Sequence, residues 1–180
     1  MHTTGKWASR WIWAAVAQGL IAAIITILIL DPPQYFTGNT DYFSAAKVIA
    51  GGGGGVWMFT GFICYIVVGV VATAVTALFY YIIEDVQGKL YKGINNLLAW
   101  GHLVFMNIGV AVSMIIMIHG GYLAGVAAAP LSEGGGNMTD YQIHVNILGW
   151  TVNWIGGFIF LAVVGAILGG IGYILVSRSK

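Results

Sequence analysis

Residues 96–118 read NLLAWGHLVFMNIGVAVSMIIMI, and this stretch decides the fold. From Asn96 to Ile118 there is no Asp, Glu, Lys or Arg. About 20 apolar residues, rising about 1.5 Å each, cross a hydrocarbon layer about 30 Å thick. The stretch is therefore a transmembrane helix. Three others of the same kind lie outward from it, at 11–30, 56–83 and 147–176, and each is free of charge through its centre.

Composition agrees with that reading. Of the 180 residues, 59 % are hydrophobic and only 7 % charged. A soluble domain of this size has too much surface to hide so much apolar area, so lipid must be the solvent for most of it. The expected architecture is all-α: one domain over residues 1–180, a bundle of four transmembrane helices. Lys6 and Arg10 before an apolar run have the layout of a signal peptide. No small-residue cleavage site follows before Asp31-Pro32-Pro33, so the run is read as a retained first helix. A net charge of +1 offers no basic face to nucleic acid. Cys64 is the sole cysteine, which excludes an internal disulfide.

Charge bias predicts the orientation. With four spans, Lys6, Arg10, Lys89, Lys92, Arg178 and Lys180 fall on one side, and only Lys47 on the other. Six against one places both termini and the middle loop in the cytoplasm. Trp7, Trp11 and Trp13 would mark that interface, and Trp57, Trp150 and Trp154 the opposite one. Five glycines, Gly51 to Gly55, read as a flexible joint, and Tyr42 to Ala50 as a short interfacial helix before it. Asn137-Met138-Thr139 is a glycosylation sequon in a loop expected to face outward. Gly165, Gly169 and Gly172 form a small-residue stripe, the usual sign of close helix packing within or between subunits.

Histidine is the residue type here with the most chemistry to offer. His119 follows His102 by 17 residues, about 25 Å along a helix axis. His144 comes just after Thr139-Asp140, a helix N-cap pattern at the start of the fourth span. The third and fourth spans are joined by a short loop and should be antiparallel neighbours. His119 and His144 are then expected at comparable depth near the outer face, with His102 much deeper. A membrane haem b needs two imidazoles at matched depth on different helices. His119 and His144 meet that test as iron ligands, whereas His102 with either does not inside one subunit. The bland alternative is that each histidine is hydrogen-bonded to a neighbouring helix. His102 shares a face with Met106 and Ser113, so a packed polar seam would also account for it. Met114, Met117 and His119 suggest a soft copper site, but no cysteine or second histidine joins them, and copper is disfavoured. Nucleophile triads and phosphate loops are absent.

From the second span onward, the order of features resembles the C-terminal part of haem-copper oxidase subunit I. Phe79-Tyr80-Tyr81 is followed by the short Gly88-Lys89-Leu90-Tyr91 loop. His102 to Phe105, Ile108-Gly109-Val110, His119, a Leu123-Ala124-Gly125 turn and Pro130 then follow in the order of that family's last-but-one helix. Trp154-Ile155-Gly156 is similar to its last helix. The likeness covers roughly residues 60–160. It implies a respiratory setting in a prokaryotic plasma membrane and, since subunit I is built of three arcs of four helices, a trimer of copies. The family's haem-ligating His-x-His falls on Phe62 and Cys64 in one register, and in another on Gln142 to Asn146, which keeps His144 alone. His102 and His119 match family histidines that are not iron ligands. Two functions are therefore expected: a redox protein holding one haem b for electron transfer or diatomic-gas chemistry, or an accessory subunit packed against a larger oxidoreductase.

Overall fold

The computed structural model describes residues 5–30, 44–50 and 52–179; among these there is no strand. Helix α1 spans Lys6–Leu30, and a six-residue helix α2 spans Ala45–Ala50. The long helices α3, α4 and α5 run over Gly53–Val86, Ile94–Ala128 and Asp140–Arg178. Together with α1 they make four helices long and apolar enough to cross a membrane. The best 18-residue windows bury between 11 % and 28 % of their residues inside the chain, so most of each apolar helix surface is left for surroundings that cannot be water. This is the integral membrane protein that composition predicts.

Each helix is longer than its apolar core. α4 continues ten residues past Ile118, so Leu123-Ala124-Gly125 is helix and not the turn expected from the sequence. The reason is packing: Ala124 is fully buried, and the positions of Gly121 and Gly125 meet Met58 and Val48 so closely that no side chain would fit. Gly53, Gly54 and Gly55 likewise belong to the first turn of α3 and not to a flexible joint. A Cβ on Gly54 would sit 2.5 Å from Ala124, and one on Gly55 2.0 Å from the Val48 carbonyl. These glycines are there for close approach. The short helix expected at Tyr42 to Ala50 is present as α2; Tyr42 and Phe43 lie outside the described residues, as does Gly51.

Contacts divide the chain into two compact units. The first comprises Met1–Gly19, Ile66–Ala111 and Gly157–Lys180, and the second Leu20–Tyr65 and Val112–Gly156. Among the described residues, Lys6, Arg10, Lys89, Lys92 and Arg178 are in the first unit and Lys47 in the second.

The first unit has an aromatic core. Trp7, Trp11, Tyr80, Ile83, Tyr91, Ala99 and Val176 are buried together. Trp7 is 6.1 Å from Tyr80 and 5.2 Å from Trp100 between ring centroids, and Trp11 stacks on Tyr80 at 5.8 Å. The Arg10 guanidinium lies 4.4 Å over both Trp7 and Trp100. Two helix ends are closed by side chains from elsewhere. The Glu84 carboxylate accepts from the Trp7 and Ala8 amides at 2.7 and 3.1 Å, and Asp85 accepts from Gly5. These are orphan donors of the first turn of α1, and a negative group there also complements the helix dipole. Lys89 Nζ donates to the Ser177 carbonyl at the end of α5, the matching arrangement for a C-terminus. In the loop between α3 and α4, burial pushes the Tyr91 phenol above its ordinary range, with Glu84 and Tyr173 adding to it, so Tyr91 stays neutral.

The second unit packs α2 against α3 and α4 through Val48, Met58, Ile118 and Tyr122. A smaller cluster joins Ala124, Ala127, Ile143 and Leu148. Thr139 caps α5 as expected: its hydroxyl accepts from the Gln142 amide at 3.4 Å, and the Gln142 side chain accepts from the Thr139 amide at 2.9 Å.

Candidate functional site

In the first unit, His102 is 8 % exposed and in contact on several sides. Its Nδ1 lies 3.2 Å from the Tyr80 hydroxyl, and its ring centroid is 4.5 Å from that of Trp11. A Cβ added to Gly169 would fall 2.1 Å from His102 Nδ1, so the imidazole occupies the space a side chain at 169 would need. Gly165 abuts Met106 and Phe105, and Gly172 meets Leu98. The glycine stripe of α5 thus packs on α4 of the same chain, the within-subunit form of the expected contact.

His102 also lines a cavity of about 480 Å³ between α3, α4 and α5. Thr76, Phe79, Tyr80, Met106, Gly170 and Tyr173 are among its walls. Nearby in the same unit, Gln18 Nε2 donates to Asn107 Oδ1 at 3.1 Å, Thr73 lies 3.5 Å from the same oxygen, and Asn107 Nδ2 donates to the Leu103 carbonyl. This amide seam ties α1, α3 and α4 together and was not anticipated from the sequence. Its signal was there to use, since an amide in the middle of an apolar span needs a partner.

The second unit holds the other two histidines. His119 and His144 are both exposed, and among the described residues no hydrogen bond or ring contact joins them. His144 opens a π-helical segment, His144–Leu148, and lines a cavity of about 210 Å³ with Trp57, Asp140 and Leu148; His119 is not among its walls. Gly120 faces Thr151 and Leu148, at 3.3 and 3.7 Å from the position of a Cβ. His119 is therefore level with residues four to seven beyond His144, about 6–10 Å along the axis at the helical rise. A haem held by both rings needs a slot between α4 and α5 at one depth. Here the helices touch at the level of Gly120, Thr151 and Leu148. Met117 packs against Gly61, and His119 is exposed. Among the described residues no three His, Cys, Asp or Glu side chains cluster as a metal site.

Compared with family models, curated proteins and solved structures, the chain finds no match.

Proposed function

We propose that this chain is a small integral subunit of a membrane oxidoreductase in a prokaryotic plasma membrane, packed against larger partner subunits and holding no haem within a single copy. The resemblance of its last three spans to oxidase subunit I suggests the respiratory setting. One observation carries the accessory role: the polar contacts between spans in the first unit are taken up in joining helices. Gln18, Thr73 and Asn107 bond to one another or to backbone, Tyr80 bonds to His102, and Glu84 closes the start of α1. A catalytic centre needs such groups free.

In this reading both termini and the 87–93 loop face the cytoplasm, as the six-to-one Lys/Arg bias requires. After Cys64→Ser, single cysteines at positions 47 and 89 should be labelled by an impermeant reagent from opposite sides of the membrane. Labelling of both from one side contradicts the topology.

A second reading has its own observation. His119 and His144 are both exposed, which leaves them free to meet between copies, where an imidazole from each of two chains would hold haem b. Purification of a tagged chain from native membranes in mild detergent separates the two. The accessory reading expects larger redox subunits in the eluate. A coloured homotrimer without them supports the second reading, and a colourless chain with no partner overturns both.

A further inference from the structure

We propose that the cleft between α3, α4 and α5 binds the ring of a lipid-soluble quinone, with the His102 Nε2–H donating to one ring carbonyl. This goes beyond the accessory role, because it rests on the lining of the cleft alone; its failure would leave that role untouched.

The position of the cleft comes first. Its walls include Phe79 and Ile174, about half exposed, and Ala166 and Gly170, also exposed. These residues lie on apolar spans, so the mouth opens where the helices meet lipid, and an occupant arrives from the bilayer. The volume, about 480 Å³, is within the range of small-ligand sites and suits a substituted ring with the start of its tail.

Polarity then narrows the class. Thr76 is spent, its hydroxyl donating to the Ala72 carbonyl at 2.8 Å. Tyr80 is spent on His102 Nδ1. We assign the tautomer in which the Tyr80 hydroxyl donates to Nδ1, so that the neutral imidazole carries its proton on Nε2. That nitrogen has no protein partner among the described residues, although the His102 side chain is more than nine-tenths buried. A donor left bare in an apolar setting costs about 1–3 kcal/mol unless an acceptor reaches it. An acyl chain has no acceptor to offer, but a quinone carbonyl does.

Shape completes the match. Phe79 and Tyr173 meet edge to face, 6.0 Å between centroids, giving an aromatic wall for a flat ring. Met106 adds a polarizable thioether. Gly169 and Gly170 leave the α5 side bare, and a Cβ on Gly170 would meet nothing within 4 Å. The residue at 170 can thus plug the cleft without disturbing the bundle.

The test uses the full chain in phosphatidylcholine nanodiscs and an azido-benzoquinone with a ten-carbon tail. Photolysis should label residues within 76–80, 102–106 or 166–174, and unlabelled decyl-benzoquinone should displace the probe. Gly170→Leu should keep its fold and lose about tenfold or more in apparent affinity, and His102→Phe should lose about tenfold, the worth of one buried hydrogen bond. Labelling elsewhere, or equal labelling of wild type and Gly170→Leu, overturns the site. Displacement by decylbenzene as well as by decyl-benzoquinone makes the cleft an acyl-chain groove and overturns the quinone assignment.

Discussion

Leucine at position 169 should loosen the bundle badly, while leucine one residue later should leave it nearly unchanged. The Cβ of any residue at 169 would sit 2.1 Å from His102 Nδ1 and 2.4 Å from two ring carbons. His102 has nowhere to retreat, with the Trp11 ring tilted against it at 4.5 Å and Tyr80 bonded to Nδ1. Either the ring is expelled, breaking the Tyr80 bond, or α5 separates from α4. Overpacking of this kind costs about 3 kcal/mol or more, and the lost hydrogen bond adds about 1 kcal/mol. At Gly170 the same leucine meets open space and replaces a poor helix former with a good one. Thermal denaturation in detergent should show a large drop in Tm for Gly169→Leu and no drop for Gly170→Leu. Equal behaviour of the two would mean that His102 does not lie across Gly169.

Glu84→Ala should be the most damaging loss of a charge. It strips the buried first turn of α1 of the acceptor for the Trp7 and Ala8 amides, and of the negative group opposite that helix's positive end. Hydrogen bonds to a charged group are worth about 1.5–3 kcal/mol, and buried Glu84 makes two of them with little water to compensate. A cost of about 2–3 kcal/mol is expected. Glu84→Gln, which keeps an acceptor without the charge, should recover about half of it. Tryptophan fluorescence provides the readout, because Trp7 and Trp11 are both fully buried beside this cap. If Glu84→Ala melts like the wild type, the carboxylate does not hold the start of α1.

Four spans were legible because length and absence of charge are enough to specify them, with no tertiary contact needed. Their ends were not. Residues 119–128 and 54–55 carry glycine and alanine that look like turn and linker in isolation, yet they are helical because they let α2, α3 and α4 touch. The Thr139 cap was legible, since its partner Gln142 is three residues away. The relative depth of His119 and His144 was not, because the register of α4 on α5 is fixed by contacts such as Gly120 with Thr151 that no local pattern announces. His102 stood out as a buried polar ring, but its partner Tyr80 is 22 residues away and Gly169 is 67 residues beyond it. Glu84 and Asp85 looked like ordinary edge charges until their acceptor role toward residues 5–8 was visible.

A single copy acting as an accessory subunit should hold no haem. An absorption spectrum of the recombinant protein, expressed with ample haem supply and purified in mild detergent, tests it most directly. The expected spectrum has only aromatic absorbance and no Soret band before or after dithionite. A monomeric protein with a Soret band and a sharp reduced α-band, both lost in His119→Ala and in His144→Ala but kept in His102→Ala, would contradict it.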